Sequence, residues 1–286
     1  MAANSKIAWT DDTFNPWWGC MKVGPGCDNC YAAALDKRAG GDHWGEDLPR
    51  RTKPANWAKP VKWNTEAKES GKQRKVFCAS MADVFDNRVP VSWRVDLFKV
   101  IKATPHLIWI ILTKRIGNVP KMLPEDWGDG YPNVWLLITT VNQEEADRDI
   151  PKLMGINAVV RGLSIEPQLE EINLTDIPMV TEGVRHRLNT LSGNGFWWDD
   201  DHETRLKLGP AMHRPPIEWV ICGAESGHGA RPFNENWPRT LSNQCAGRTA
   251  FFYKQNVIDG KKIETPKLDG KQYMEFPTVP DTGAAK

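Results

Sequence analysis

Long apolar runs are missing from this sequence. None approaches the ~18 residues that a membrane-crossing helix needs, so no helical span is expected. Net charge is nearly missing too: 37 Lys and Arg against 36 Asp and Glu leave a formal charge of +1. Such a chain has no overall field to draw it onto nucleic acid or a membrane surface, and any such contact would have to be a local patch. The first residues, Met1-Ala2-Ala3-Asn4-Ser5-Lys6, carry no apolar core and do not read as a signal peptide. The six cysteines are therefore expected in the reducing cytoplasm, where clustered thiols hold metal more often than they form disulfides.

What is there describes an ordinary globular protein: 40% apolar and 26% charged residues over 286 positions, enough for one large domain or two small ones. We read one domain over 1–277 and a frayed tail over 278–286. Fourteen tryptophans are many; they serve packing, and they also offer stacking faces.

Three cysteines crowd into Cys20-Met21-Lys22-Val23-Gly24-Pro25-Gly26-Cys27-Asp28-Asn29-Cys30, spaced C-x6-C-x2-C. Gly24-Pro25-Gly26 dictates a tight turn that can curl the three sulfurs toward one point. Three thiolates suit a [4Fe–4S] cluster with one iron open to an outside ligand. A structural zinc site would want a fourth Cys or His, the nearest histidine being His43, and three unrelated core thiols are the plainest alternative. Cys78, Cys222 and Cys245 read as core thiols.

Tyr31 to Arg38 reads as a helix ended by Gly40-Gly41, and 42–73 as a long loop with short helical pieces. From Lys75 onward short apolar runs recur: 76–80, 107–113, 134–139, 158–164, 219–223 and 250–254. Runs of this kind read as strands buried on both faces, hence parallel. Val91 to Ala103 and Gln143 to Met154 read as amphipathic helices between them. With a lead-in strand within Ile7–Pro16 the alternation predicts an α/β fold, a full or partial β/α (TIM-like) barrel, with an open doubly wound sheet as the runner-up. Residues 181–216 break the rhythm and read as an insertion, a lid or partner surface, between the fifth and sixth strands. It holds Arg185-His186-Arg187, Phe196-Trp197-Trp198 and an acidic run, Asp199 to Glu203, read as a solvated loop with a divalent-metal site as the alternative. Lys261-Lys262-Ile263 and Lys271 to Phe276 read as a terminal β hairpin.

A barrel carries its chemistry at the C-terminal strand ends. Those ends hold Ser80 and Asp83, then Thr113, Lys114 and Arg115, then Thr139, Thr140 and Asn142, then Ser164 and Glu166, then Glu225 and Ser226, and last Lys254 and Gln255. Strand ends are polar in any barrel because they reach solvent, yet Glu166 and Glu225 both stand just past a buried strand.

The cysteine loop resembles that of radical S-adenosylmethionine enzymes, whose common spacing, C-x3-C-x2-C, it shares in its second half. It is closer to a phage-borne radical-SAM-like family, through the Asn15-Pro16 lead-in, the Gly19-Cys20 … Pro25-Gly26-Cys27-Asp28-Asn29-Cys30-Tyr31-Ala32 run and later blocks, from about Trp9 to Pro277. The superfamily's Gly-Gly-Glu tripeptide is absent here. The resemblance implies a full or partial β/α barrel and a cluster held by Cys20, Cys27 and Cys30. It implies S-adenosylmethionine as cofactor, met by Ser80, Met81 and Asp83 at its amino group, by Lys114 or Arg115 at its carboxylate and by Thr139, Thr140 and Asn142 near its ribose, with Ser164 a further cofactor-binding candidate. Glu166, Glu225 and Lys254 are the catalytic candidates. The implied reaction is electron transfer to S-adenosylmethionine and hydrogen abstraction by a 5′-deoxyadenosyl radical, fed by a donor such as flavodoxin or ferredoxin, with a modified pyrimidine nucleotide or DNA base as substrate. A non-catalytic iron–sulfur or zinc protein that binds nucleic acid or a partner, and an electron-carrier module, are the other readings.

Overall fold

The computed structural model describes residues 5–45, 47–181, 184–197, 210–227 and 229–278. In chain order its strands and helices begin with β1 (Asp12–Thr13), β2 (Trp17–Trp18), α1 (Tyr31–Arg38), β3 (Arg50–Arg51), α2 (Pro54–Trp57), α3 (Lys59–Ser70) and β4 (Arg74–Cys78). There follow α4 (Val91–Lys102), β5 (Leu107–Thr113), α5 (Val119–Met122), β6 (Val134–Thr139), α6 (Gln143–Met154) and β7 (Val160–Ile165). Then come β8 (Ile177–Thr181), β9 (Val184–Asn189), β10 (Asn194–Trp197), β11 (Pro210–His213), β12 (Trp219–Gly223), α7 (Asn236–Cys245), β13 (Ala250–Ile258), β14 (Lys261–Glu264), β15 (Lys267–Leu268) and β16 (Lys271–Gln272).

The fold is α/β. Eight strands form one sheet in the order β1-β4-β5-β6-β7-β12-β13-β14, parallel throughout except for the antiparallel edge pair β13–β14. The runs are apolar without alternation because both faces are covered. Outward residues such as Val76, Ile111, Leu136, Leu163 and Val220 join the layer under the helices. Inward residues Phe77, Ile110, Trp135, Leu137, Val160, Trp219, Ile221 and Phe252 form a second core. The Trp9 ring, from before β1, lies 6.1 Å edge-on from that of Trp219 on β12, so the sheet curls on itself into a half-barrel. Phe276 closes the same end, 5.4 Å from Trp219 and 5.6 Å from Phe252. Each large side chain buried in this plug contributes roughly 1.5–3 kcal/mol. The small Gly162 lets β7 approach β6 and β12: a Cβ there would stand 2.8 Å from Leu137 Cγ and 3.2 Å from the Trp219 carbonyl.

Two local expectations are corrected. The stretch 42–73 is no long loop, for α3 is a full 12-residue helix ended by left-handed Gly71; its apolar contacts rest on Trp63 and Ala67, too sparse a stripe to stand out among the lysines. Lys261–Glu264 pairs with the tail of β13, which runs on to Ile258, and not with 271–276. The terminal hairpin is the separate pair β15–β16. Between β7 and β12 the chain builds a four-stranded antiparallel sheet, order β11-β10-β9-β8, starting at Ile177. Ile177, Met179 and Leu188 pack it into the layer outside the half-barrel, and Arg187 pairs with Asp176 at 2.7 Å. Trp198 and the acidic run Asp199 to Glu203 lie outside the described residues. No helix of the described residues is long and apolar enough to cross a membrane.

Candidate functional site

The inward rows of the half-barrel change from apolar to polar along each strand. Trp135 and Leu137 lead to Thr139, Val160 and Gly162 lead to Ser164, and Phe252 leads to Lys254. The polar ends open into a cavity of about 810 Å³ floored by Trp9, Phe77 and Leu112. Ser80, Asp83, Lys114, Arg115, Thr139, Ser164, Glu166, Glu225 and Lys254 all line it, and so do Cys20, Cys27 and Cys30. Two candidates do not. Thr140, one step past Thr139, is fully buried off the inner row. Asn142 caps α6, its side chain accepting from Glu145 N at 2.9 Å, because a helix start must satisfy its free N–H groups.

The cysteine loop runs across these strand ends. Gly19, at φ +114°, donates to the Met81 carbonyl at 3.1 Å and so fixes the chain just before Cys20 beside the end of β4. Pro25–Cys27 forms one 3₁₀ turn, with Cys27 N donating to Gly24 O at 2.9 Å. Cys27 is buried and Cys30 stands at the N-terminus of α1. The glycines of the turn allow close seating: a Cβ on Gly26 would lie 2.8 Å from Val141 Cγ1 and 3.3 Å from Lys114 Cε.

Arg115 is held, not free. It lies 3.2 Å from Asp83 and 3.1 Å from Asp86, and donates to the Met21 carbonyl at 2.5 Å and to the Cys20 sulfur at 3.3 Å. Asp83 is saturated in turn, accepting from Thr113 Oγ1, Phe85 N, Lys114 N and Arg115. Glu225 accepts from Asn29 Nδ2 at 2.9 Å and makes a forked pair with Arg231. Burial alone would raise its carboxyl, but the hydrogen bonds from Arg231 and Asn29 hold it below the usual glutamate range. A carboxylate so occupied serves as an anchor for the cysteine loop. The Ser80 hydroxyl is taken up by Asn15 at 3.0 Å.

Other groups remain open to the cavity. Lys254 pairs with Glu166 at 3.0 Å, and Ser164 donates to the other Glu166 oxygen at 3.3 Å. The Lys114 ammonium donates to the Thr139 hydroxyl at 3.3 Å and, among the described residues, has no carboxylate within ion-pair reach.

Residues 4–277 match the family described as "Protein of unknown function (DUF5131)". The chain belongs to that family. No curated protein and no solved structure matches it. The matched span includes the three cysteines and every strand of the half-barrel, so the site described above lies wholly within it.

Sequence reasoning passed over Asn15, Asn29, Asp86 and Arg231. Asn15 reaches Met81 N at 2.8 Å besides Ser80, and Asp86 accepts from Met21 N at 2.9 Å. All four act across long stretches of chain, and no local spacing marks them. The available signals were the resemblance, whose motifs include Asn15 and Asn29, and the pair of glycines before Arg231, which turn that segment back toward the site.

Proposed function

We propose that this protein is a radical S-adenosylmethionine-type enzyme on a partial β/α barrel, with Cys20, Cys27 and Cys30 holding a [4Fe–4S] cluster. The observation that carries the reading is the meeting of three free thiols and a set of inward-facing polar side chains in one strand-end cavity. The residues fit such a group. Among the described residues no three His, Cys, Asp or Glu side chains converge as ligands of a single ion. A cubane needs no such convergence, because each thiolate meets a different iron. Burial, with Asp83, pushes the Cys20 thiol up to about 12 against the pull of Arg115, so loading releases its proton. Arg115 donates to that sulfur at 3.3 Å while sharing its charge with Asp83 and Asp86.

When bound and reduced, the cluster supplies an electron to S-adenosylmethionine, chemistry that no side chain offers. The electron comes from a donor such as flavodoxin or ferredoxin. Lys114 is the group for the cofactor's carboxylate, because Arg115 is already neutralised by two aspartates. Thr139 and Ser164 offer hydroxyls to the cofactor's polar edge, and the Glu166–Lys254 pair meets the cofactor amine or the substrate. Asp83, Glu225 and Asn15 build the walls. The volume sits high in the range of small-molecule sites, roughly 300–1,000 Å³, which leaves room for a second molecule beside the cofactor.

For substrate we favour a modified pyrimidine, as a nucleotide or flipped from DNA, since no duplex enters such a cavity. Lys6 and Lys22 on the lining suit its phosphate, and Trp18, Trp44 and Tyr31 offer faces for its ring. The test is anaerobic reconstitution. A brown protein that cleaves S-adenosylmethionine to 5′-deoxyadenosine when reduced, faster with modified phage DNA or its nucleotides, is expected. Loss of iron in Cys27→Ala belongs to the same expectation. A colourless protein with one tightly held zinc would overturn the reading in favour of a binding role.

A further inference from the structure

Arg231 lies beyond Gly227 and Gly229, whose φ values of +104° and +79° turn the segment after β12 back toward the cysteine loop. Its guanidinium grips Glu225 as a fork, Nε to Oε2 at 2.9 Å and Nη2 to Oε1 at 2.7 Å, and its backbone N–H donates to Oε2 at 3.0 Å. The same guanidinium reaches the loop. Nη2 donates to the Pro25 carbonyl at 2.9 Å, and Nη1 lies 3.2 Å from Asp28 Oδ2. Asn29 completes the link from the loop side, donating to Glu225 Oε2 at 2.9 Å and to the Gly229 carbonyl at 3.0 Å.

Pro25, Asp28 and Asn29 flank Cys27 and lead directly into Cys30. The loop's own hydrogen bonds over this stretch are few among the described residues: Cys27 N to Gly24 O, Asp28 N to Pro25 O, and the exposed Lys22 Nζ to Asp28 O at 3.4 Å. Gly24 and Gly26 add conformational freedom that something outside the turn must remove. The exposed Asp28 leg contributes little by itself. The Glu225 fork contributes more, because that carboxylate is buried and each of its oxygens is bonded.

We propose that Arg231 is a positioning residue for the cysteine loop: through Glu225 it pins the Pro25–Asn29 turn to the end of β12 and so sets where the Cys27 and Cys30 sulfurs stand. Arg115 does the corresponding work at Cys20 and Met21. The inference rests on the cluster reading only for what the loop would hold; the pinning belongs to the chain itself.

The experiment uses the full, metal-free chain under reducing conditions and follows alkylation of each cysteine by iodoacetamide with peptide-resolved mass spectrometry. The variants are Arg231→Gln, Arg231→Lys and Asn29→Ala. Arg239→Gln, which breaks an exposed pair with Asp269 at 2.8 Å, is the control. Releasing a charge-assisted anchor should raise the open population, and with it the rate at the buried Cys27, roughly tenfold to a hundredfold in Arg231→Gln, with a smaller rise at the half-buried Cys30. Arg231→Lys keeps the charge without the fork and should recover part of the protection, and Asn29→Ala should give a smaller rise at the same two sites. The control should change nothing. Cys78 and Cys222, both fully buried, report whether each variant is folded. If they become reactive in Arg231→Gln, the milder Asn29→Ala decides the question. Wild-type rates at Cys27 and Cys30 in the folded variants overturn the proposal. Raised rates in a protein that takes up no iron leave the pinning in place and remove the cluster reading.

Discussion

Asp83→Asn separates two roles for one carboxylate. The family resemblance makes Asp83 a contact for the cofactor amine. In the structure its carboxylate, in a residue 4% exposed, is filled from within: Thr113 Oγ1 reaches both oxygens at 2.8 and 3.0 Å, Phe85 N reaches Oδ1 at 2.9 Å, and Lys114 N and Arg115 Nη1 reach Oδ2 at 3.0 and 3.2 Å. Asparagine keeps one oxygen and turns the other into an NH2 facing donors. One orientation loses the Phe85 bond; the other loses those from Lys114 and Arg115. Removing one partner of a buried pair costs roughly 3–5 kcal/mol, and the cost here falls at the lower end because Arg115 keeps Asp86 at 3.1 Å. At roughly 2–4 °C per kcal/mol for a chain of this size or slightly smaller, melting should drop by about 6–12 °C. The assay is urea and thermal unfolding of the metal-free protein near neutral pH. A loss under about 1 kcal/mol, within the range of an ordinary surface change, together with loss of cofactor binding, would refute this reasoning and return Asp83 to the ligand.

Three further outcomes are expected. Gly162→Ala puts a methyl 2.8 Å from Leu137 Cγ and should cost roughly 1–3 kcal/mol, read as a lower urea midpoint at unchanged slope; an unmoved midpoint would mean that β6 and β7 are not so close. The Glu225 carboxyl is held low by Arg231 and Asn29 despite its burial, so between its folded value and about 4.3 the native state binds fewer protons than the unfolded one. That stability is complete above about 4.3 and is lost as pH falls through the folded value; Glu225→Gln should remove this slope from urea midpoints taken across the acid range, and equal slopes would count against the pair. Lys114→Met keeps the stem packed near Gly26 and removes the charge, so stability should stay within about 0.5 kcal/mol. Affinity of the reconstituted protein for S-adenosylmethionine should fall roughly tenfold, and an unchanged affinity would place the cofactor's carboxylate elsewhere.

The half-barrel was legible because its signal is local. The runs 107–113, 134–139 and 219–223 coincide with β5, β6 and β12, and Tyr31–Arg38 and Gln143–Met154 coincide with α1 and α6. A strand buried on both faces has only apolar side chains to show, and its neighbours in sequence are its neighbours in the sheet. The less legible parts lack one of those properties. Helix α3 presents Trp63 and Ala67 inward among exposed lysines, and its start comes from Pro60 and not from a capping side chain. Strand β1 has only two residues and owes its place to pairing with Val76 and Phe77.

The site divides along a similar line. A strand-end residue can be recognised from sequence, but whether it is open to a ligand depends on what arrives from elsewhere in the chain. Asp83, Arg115 and Glu225 looked alike with Lys114, Glu166 and Lys254 as polar residues past buried strands. The first three are spent on holding the cysteine loop or the walls, by Thr113, by Asp86 with Met21 and Cys20, and by Arg231 with Asn29. Among the described residues Lys114 keeps a hydroxyl partner and no carboxylate, and Glu166 and Lys254 face the cavity joined to each other. A charged group that another protein group already neutralises gains little from a ligand and pays to release its partner, whereas a partly buried ammonium beside one hydroxyl gains fully from an incoming anion. At the strand ends an incoming carboxylate should therefore be met by Lys114 in preference to Arg115, and the loop that carries the cysteines should move only when Arg115 or Arg231 lets it go.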